Sequence, residues 1–515
     1  MKFRVATPRV LRAVAWSAAA VLAALAGGLA LAPARVVPLL ERGAAVTESI
    51  PFPLLGYVLL GIVVASVLRL GRGGDPAAGP SWGWARSLAL GGTLFGIYDG
   101  FGDTYNIGDT IPAALLPVAL IRGDGPFLER FLPDPGETSA RVYAIYFYRR
   151  SRGHLISEYP LGAPLLAVPF VLPQVLAEDW RHPGWDRGPE GGRGVAEVMA
   201  RRAAGAIAAL TGVALLHLLI AMGLRRVAFP TVLAAALASG LWNEGARALW
   251  QHGPAALCLT LAIWLLHPGR TSRARTTLAG LATAMLPACR PNDVLLAAAI
   301  AAWMTRHRRR DLPWFLPPLV AIGVALVAYN YWFFGSIKGG YVALEGGRGL
   351  WESLPRPFAP GAAGTLFSPS RGLFVFTPWV ALALAALVAT ARRLRAHSLV
   401  LWLVAALVPY FVVLSKTMTW WAGQSFGPRF WIDAVPLFAI LLALALERTR
   451  TACRPALWAF ALAIGFSLGV QLLGASGYPT MWGIGEFDEK KLWRWRDSEL
   501  SQCWRDALAP RPERP

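Results

Sequence analysis

Charged side chains are scarce in this chain. They make up 16% of its 515 residues, while 55% are hydrophobic. A soluble globular domain carries about 25% charged residues. The deficit excludes an ordinary water-soluble fold and, with repeated apolar runs, places the chain in the integral-membrane class. Acid is scarcer than base: 30 Asp and Glu stand against 50 Lys and Arg, a formal net charge of +20. The excess does not point to nucleic acid. The basic residues fall in short clusters between apolar segments, which is the positive-inside pattern of membrane topology and not a stripe on one folded surface. Cysteine is rare too, with only Cys258, Cys289, Cys453 and Cys503. No pair has metal-ligand spacing, and a disulfide framework is not indicated. Heptads, tandem repeats and low-complexity domains are likewise missing from the sequence.

The apolar segments order themselves by parity. Five basic clusters are expected on the cytoplasmic side: Arg225-Arg226, HPGRTSRAR (267–275), RHRRR (306–310), ARRLRAH (391–397) and ERTRTACR (447–454). Pairs of apolar segments lie between successive clusters: 228–241 and 254–267, 276–289 and 293–304, 313–334 and 372–391, then 398–415 and 433–446. Each interval holds an even number of crossings. A last span over 455–473 sends the C-terminal tail, 474–515, outside. Spans at 10–32, 53–70 and 83–101 bring the chain out near Asp103, and 202–222 returns it. The basic N-terminus leads into a run long enough for an uncleaved span, with a cleaved signal peptide as the alternative. Parity makes 102–200 one exterior region, so its apolar stretches, 110–121 and the proline-rich 160–176, are expected to lie in the outer interface. The expected fold class is an all-α integral-membrane bundle of roughly thirteen transmembrane helices, with a large first extracytoplasmic loop carrying interfacial helices.

The expected exterior loops hold the acids, histidines and tryptophans. Asp99, Asp103 and Asp109 crowd the end of one apolar segment, where a carboxylate is costly and its presence suggests function. Asp103 and Asp109 are candidates for a general base. Helix capping is the plain structural reading of Asp109, which precedes TIPAALLP, and Asp99 is expected to pair with an arginine. In RRSRGHLISEYPLGAP (149–164), His154, Glu158 and Tyr159 are candidates for contact with a headgroup or sugar, against a surface loop that snorkels its basic residues. His252 lies at the outer mouth of two spans, in NEGARALWQHGP. Arg290 in CRPND is a candidate bidentate phosphate ligand, unless Asp293 simply neutralises it. Arg371, Lys416 and Arg429 are further phosphate candidates, and Trp420 and Trp421 either stack on a sugar or belong to an interfacial aromatic belt.

Taken in order, GDTIPAALLPVAL, RGHLISEYPLGAPLLAVPF, ALWQHGP, CRP, NYWFFGSIKGGY, LFSPSRGLFVFTP, SFGPRFWIDAVP and LWRWRDSEL cover most of residues 95–500. This series resembles the bacterial polyprenyl-phosphate-dependent glycosyltransferases of the GT-C superfold, specifically the family 39-like proteins related to protein O-mannosyltransferases and aminoarabinose transferases. The resemblance implies a GT-C-type core over 83–473, preceded by two additional spans within 1–82. It also implies an acidic catalytic residue early in the first large loop, best matched by Asp109. Where the O-mannosyltransferases carry a His-Pro-Pro-Leu segment, this chain has Tyr159-Pro160-Leu161-Gly162, so no role of that histidine transfers.

The expected activity is inverting transfer of a sugar from a polyprenyl-phosphate donor to an extracytoplasmic acceptor hydroxyl, on a glycan, lipid or protein, at the bacterial inner membrane. No cofactor is expected. A divalent metal shared by Asp103 and Asp109 with Glu345 or Glu352 is not demanded by the spacing. The rival class is a polytopic transporter or lipid-linked-glycan flippase, which charged intramembrane residues also mark. A catalytically silent assembly partner is a third reading.

Overall fold

A computed structural model of the chain describes residues 52–68, 83–101, 108–131, 148–187, 192–267, 272–341, 354–452, 454–478 and 489–508. The first expected span, 10–32, lies outside them, as do Asp103, Glu345 and Glu352. The described residues are mostly helical. In chain order the helices begin with α1 (Phe52–Leu68), α2 (Trp84–Gly100) and α3 (Ile111–Ile121). A two-stranded antiparallel hairpin follows, β1 (Tyr148–Ser151) and β2 (His154–Ser157), with Tyr148 opposite Ser157. Then come α4 (Gly162–Arg181), α5 (Arg193–Ala221), α6 (Arg225–Leu237), α7 (His252–Leu266), α8 (Arg273–Cys289), α9 (Val294–His307) and α10 (Leu312–Phe334). The remainder are α11 (Phe358–Phe367), the short α12 (Leu373–Phe376), α13 (Pro378–Ala385), α14 (Leu387–Ala396), α15 (Ser398–Lys416), α16 (Val435–Ala452), α17 (Arg454–Gly477) and α18 (Glu499–Leu508).

By length and composition, five helical stretches among the described residues can cross a membrane: Arg193–Ala221, Arg309–Phe334, Ser398–Lys416, Arg429–Arg450 and Arg454–Ser476. They are consistent with an all-α membrane protein. Apolarity on all sides gives two different outcomes. In α16 every residue from 437 to 446 is buried, so this helix is the axis of the main core. In contrast, α10 packs mainly on α8 and leaves Val320, Val324, Val327, Tyr331 and Trp332 exposed. With no polar face, that surface is suited to lipid.

A second core gathers α3, α4 and α5. Here one expectation is corrected. The stretch 110–121 does not lie on the surface: α3 is buried along most of its length between α4 and α5. Its apolar residues point in every direction, so it is covered in every direction. The proline-rich 160–176 does form a one-sided helix. In α4, Ala163, Ala167, Val171 and Val175 recur every four residues on the buried side. Leu165, Leu172, Leu176 and Trp180 are exposed, as an interfacial helix requires. A second difference is at 228–241, where α6 stops at Leu237 and the chain enters a π-helical turn, Leu241–Gly245. The carbonyl freed at Ala238 accepts a hydrogen bond from Trp379 Nε1, 2.8 Å away.

Polar contacts sort the loops onto two ends. At one end, Ser87 Oγ lies 2.8 Å from His217 Nε2, Arg275 Nη2 donates to the Trp264 carbonyl (2.9 Å), and Trp303 Nε1 donates to Ser398 Oγ (3.0 Å). The guanidinium of Arg273 lies over Trp314. These bonds bring the arginine clusters around 273–275, 306–310 and 391–397 to a common end. The opposite end carries the links 241–251 and 290–293, the turn at 335–341 and the segment 417–434, together with residues 489–508. Asp99 belongs to that end and, as expected, pairs with arginines, Arg201 and Arg202.

Candidate functional site

Two close approaches, each possible only at glycine, set the geometry of this end. A Cβ on Gly162 would lie 2.3 Å from the carbonyl carbon of Ala288, so the start of α4 rests directly on the end of α8. A Cβ on Gly340 would lie 2.1 Å from the Glu158 carbonyl oxygen, so the turn after α10 rests on the segment before α4. Together they bring Tyr159, Tyr341 and Arg290 to one locality. The rings of Tyr159 and Tyr341 meet edge to face with centroids 5.9 Å apart.

Asp109 sits in the turn that precedes α3. Thr110 takes the N-cap position without a side-chain cap, and the Asp109 carboxylate turns toward Arg429. Arg429 Nη1 donates to Asp109 Oδ2 at 3.1 Å, and Nη2 donates to the Ala422 carbonyl at 2.7 Å. The guanidinium lies over the Trp250 ring, 4.0 Å from its centroid. Arg429 is buried, while the Asp109 side chain keeps 20% of its surface open. Tyr159 is a hydrogen-bonding neighbour of Asp109, and burial followed by that carboxylate pushes its phenol well above the ordinary range. It therefore remains a protonated donor at neutral pH. The Tyr341 hydroxyl donates to Gln251 Oε1 at 3.0 Å, and burial pushes it up to about 12. An accessible carboxylate is thus ringed by a guanidinium and two phenols, all supplied by separate segments.

Next to it lies a second cluster. Asp433 Oδ1 is 2.9 Å from His252 Nδ1, and Asp433 Oδ2 accepts from the Tyr410 hydroxyl at 2.7 Å and from Arg290 Nη1. Arg290 Nη1 also donates to the Tyr410 hydroxyl (2.6 Å) and the Phe430 carbonyl (3.2 Å). All these bonds run through Nη1, so the fork formed by Nε and Nη2 is not consumed by them. The expected neutralising partner, Asp293, is buried nearby but forms no hydrogen bond to Arg290, whose carboxylate partner is Asp433. Phe430 stands between the clusters: Arg290 lies 4.8 Å above its ring and Arg429 lies 5.8 Å away.

A buried layer beneath holds the loop 422–429 in place. Glu244, in the π-helical turn, accepts the Phe426 backbone N–H. Its Oε2 has no hydrogen-bond partner among the described residues, and burial raises the Glu244 pKa to about 8. Asn243 Nδ2 donates to Gln471 Oε1 at 2.9 Å, and Arg247 Nη2 donates to the Tyr478 carbonyl at 2.8 Å.

Other residues singled out in the sequence take different places. Arg371 is not presented to a ligand. Its Nε donates to the Trp421 carbonyl, Nη1 to the Ser370 carbonyl and Glu499, and Nη2 to the Gly423 carbonyl, so every guanidinium nitrogen is engaged. Trp420 offers no face to a sugar. It is buried against Gly364, where a Cβ would approach its ring to 2.3 Å. Trp421 lies under the Arg356 guanidinium at 5.1 Å. Trp420 departs from expectation because residues 489–508 fold back over it, with Trp493 packed on its ring; Arg356, over Trp421, pairs with Glu489 of the same segment. Lys416 ends α15, and its ammonium makes no ion pair among the described residues. His154, at the tip of the hairpin, stacks on Phe127 (centroids 3.8 Å apart) and lies 3.2 Å from Glu129. Glu158 is half-buried, and that burial raises its pKa. Among the described residues, no group of three or more His, Cys, Asp or Glu side chains is arranged to hold a metal.

Asp433, Tyr410, Tyr341 and Glu244 were not singled out in the sequence. The acidic residue in RFWIDAVP and the glutamate in WNEG, both between apolar segments, were the available signals. Comparison with known proteins finds no matching family model, no matching curated protein and no matching solved structure.

Proposed function

We propose that this chain is an inverting membrane glycosyltransferase that uses a polyprenyl-phosphate-linked sugar. The observation that carries the reading is Asp109: a partly open carboxylate, 3.1 Å from a buried arginine, at the end of the molecule opposite the arginine clusters. In the proposed topology of roughly thirteen spans, this end faces the extracytoplasmic side of a bacterial inner membrane. Asp109 takes the proton of the acceptor hydroxyl as the oxygen attacks the anomeric carbon. The bond to the lipid phosphate breaks on the opposite face, and the configuration inverts. Arg429, donating to Asp109 Oδ2 at 3.1 Å, holds that carboxylate in its orientation. The charge on the departing phosphate is met by the open Nε and Nη2 of Arg290, with Asp433 and Tyr410 holding the other nitrogen in place. Tyr159 donates a hydrogen bond within the same site. Arg371 is dropped from this role, since its guanidinium is fully engaged. The resemblance to the GT-C family 39-like enzymes agrees with this reading.

The test uses membranes containing the full chain and a panel of radiolabelled polyprenyl-phosphate sugars. Wild type is expected to transfer label to an endogenous acceptor, and Asp109→Asn, folded and inserted, is expected to lose it. Label that crosses sealed vesicles without being transferred would instead identify a transporter.

A further inference from the structure

The basic end of the molecule carries a groove of about 460 Å³ where α9 ends and α10 and α15 begin, lined by Ala302, Thr305, Arg306, Arg309, Leu312 and Trp402. We propose that this groove is a binding site for an anionic phospholipid, with the headgroup phosphate between Arg306 and Arg309 and an acyl chain along α10. The site is independent of the transfer chemistry proposed above, and lies at the other end of the bundle.

Three observations carry the assignment. The first is charge. The segment 305–311 has one acid, Asp311, and it is taken by Arg308 through Nε at 2.6 Å. Arg309, exposed and lining the groove, donates from Nε to the Thr305 carbonyl (2.8 Å), and its terminal nitrogens are not used by that bond. Arg306 is exposed and makes no ion pair among the described residues. The two arginines therefore present uncompensated charge, and their guanidinium planes suit bidentate contact with a phosphate.

The second is the apolar wall. Leu312 and Trp402 line the same groove, and a soluble anion would gain nothing from them. An amphiphile would fill both halves.

The third is what continues from the groove. Leu316, Val320 and Val324 follow Leu312 at four-residue intervals on α10 and are 37%, 56% and 63% exposed. They form an unbroken apolar stripe leading from the arginines toward the centre of the span, the path a lipid tail attached to the bound phosphate must take.

The experiment is native mass spectrometry of the full chain in detergent, titrated with phosphatidylglycerol or phosphatidylcholine of matched chains. Wild type is expected to retain phosphatidylglycerol preferentially. At about fivefold per basic residue, Arg306→Gln with Arg309→Gln should weaken that retention roughly twenty-five-fold and abolish the preference. Ala302→Trp fills the groove with the charges intact, so it should also lose the lipid and keeps the test decisive if the double variant misfolds. Excess inorganic phosphate should not displace the lipid; if it does, the groove is a free-phosphate site and the proposal is overturned. Equal retention of both lipids by wild type, or unchanged retention in a folded double variant, overturns it equally.

Discussion

Replacing Arg371 by alanine should unfasten the C-terminal segment from the bundle. In the native fold Arg371 and Glu499 are almost wholly inaccessible, at 1% and 0% side-chain exposure. The guanidinium bonds to three carbonyls as well as to the carboxylate: Trp421 at 2.8 Å, Ser370 at 2.7 Å and Gly423 at 3.0 Å. Glu499 Oε2 also accepts the Gly427 N–H at 2.9 Å, so the pair ties α18 to the loop that delivers Arg429. Truncation strands a buried carboxyl and three carbonyls. Breaking one side of such a pair costs about 3–5 kcal/mol. Burial already raises Glu499 to about 7, and loss of the neighbouring cation moves it further up. It would then protonate at neutral pH, placing the cost toward the lower end of that range. The assay is thermal unfolding of the full chain in detergent at neutral pH, with limited proteolysis to report release of residues 489–508. Arg371→Ala should lower the melting midpoint and expose that segment. Arg371→Met combined with Glu499→Leu should recover much of the loss, because no charge is left without a partner. If Arg371→Ala melts with wild type and differs only in a higher KM for donor, the scaffold role is wrong and the phosphate-ligand expectation is reinstated.

Two further perturbations probe the layers around the site. Burial raises the Glu244 pKa from 4.5 to about 8, so the fold favours its protonated form. That stabilisation is complete below about 4.5 and is lost as pH climbs through about 8, at about 1.4 kcal/mol per pH unit in between. Glu244→Gln should remove this share of the pH dependence of the melting midpoint between pH 5 and 9; an unchanged slope contradicts it. Gly340→Ala puts a Cβ 2.1 Å from a backbone oxygen and should cost about 1–3 kcal/mol while lowering transfer activity, since Tyr341 and Tyr159 must separate. Gly96→Ala, in α2 with nothing within 4 Å, is the control and should leave both unchanged or slightly raise stability. Equal behaviour of the two alanine variants would remove the claim that the 158–340 contact builds the site.

The long apolar helices were legible because hydrophobic runs bounded by arginine determine them locally. The expected 313–334, 398–415 and 455–473 correspond to α10, α15 and α17 within a few residues. The contacts that gather 273–275, 306–310 and 391–397 at one end agree with the parity grouping of those clusters, whereas the expected span 372–391 is broken into α12, α13 and α14. What escaped was non-local. The hairpin 148–157 has no alternating apolar pattern, and Ile156 is held by a bridge to Phe127. The roles of Arg371 and Trp420 were misread because the residues that cover them, Glu499 and Trp493, lie in a tail with no sequence signal for folding back. The same holds for Arg290, where Asp293 is the near carboxylate in sequence and Asp433 the near one in space. Asp109 and Arg429 were each identifiable as an unusual charge beside an apolar segment. Their pairing, and the tryptophan beneath it, required coordinates.

The central claim is that Asp109 removes a proton from an acceptor hydroxyl. The most direct measurement is single-turnover transfer by wild type and Asp109→Asn at saturating labelled donor, with donor binding measured in parallel. Because a positioned base contributes about 100- to 10,000-fold, the account predicts a loss of that size in the chemical step with donor binding retained. Transfer by Asp109→Asn at the wild-type rate, or a loss explained entirely by failure to bind donor, would contradict it.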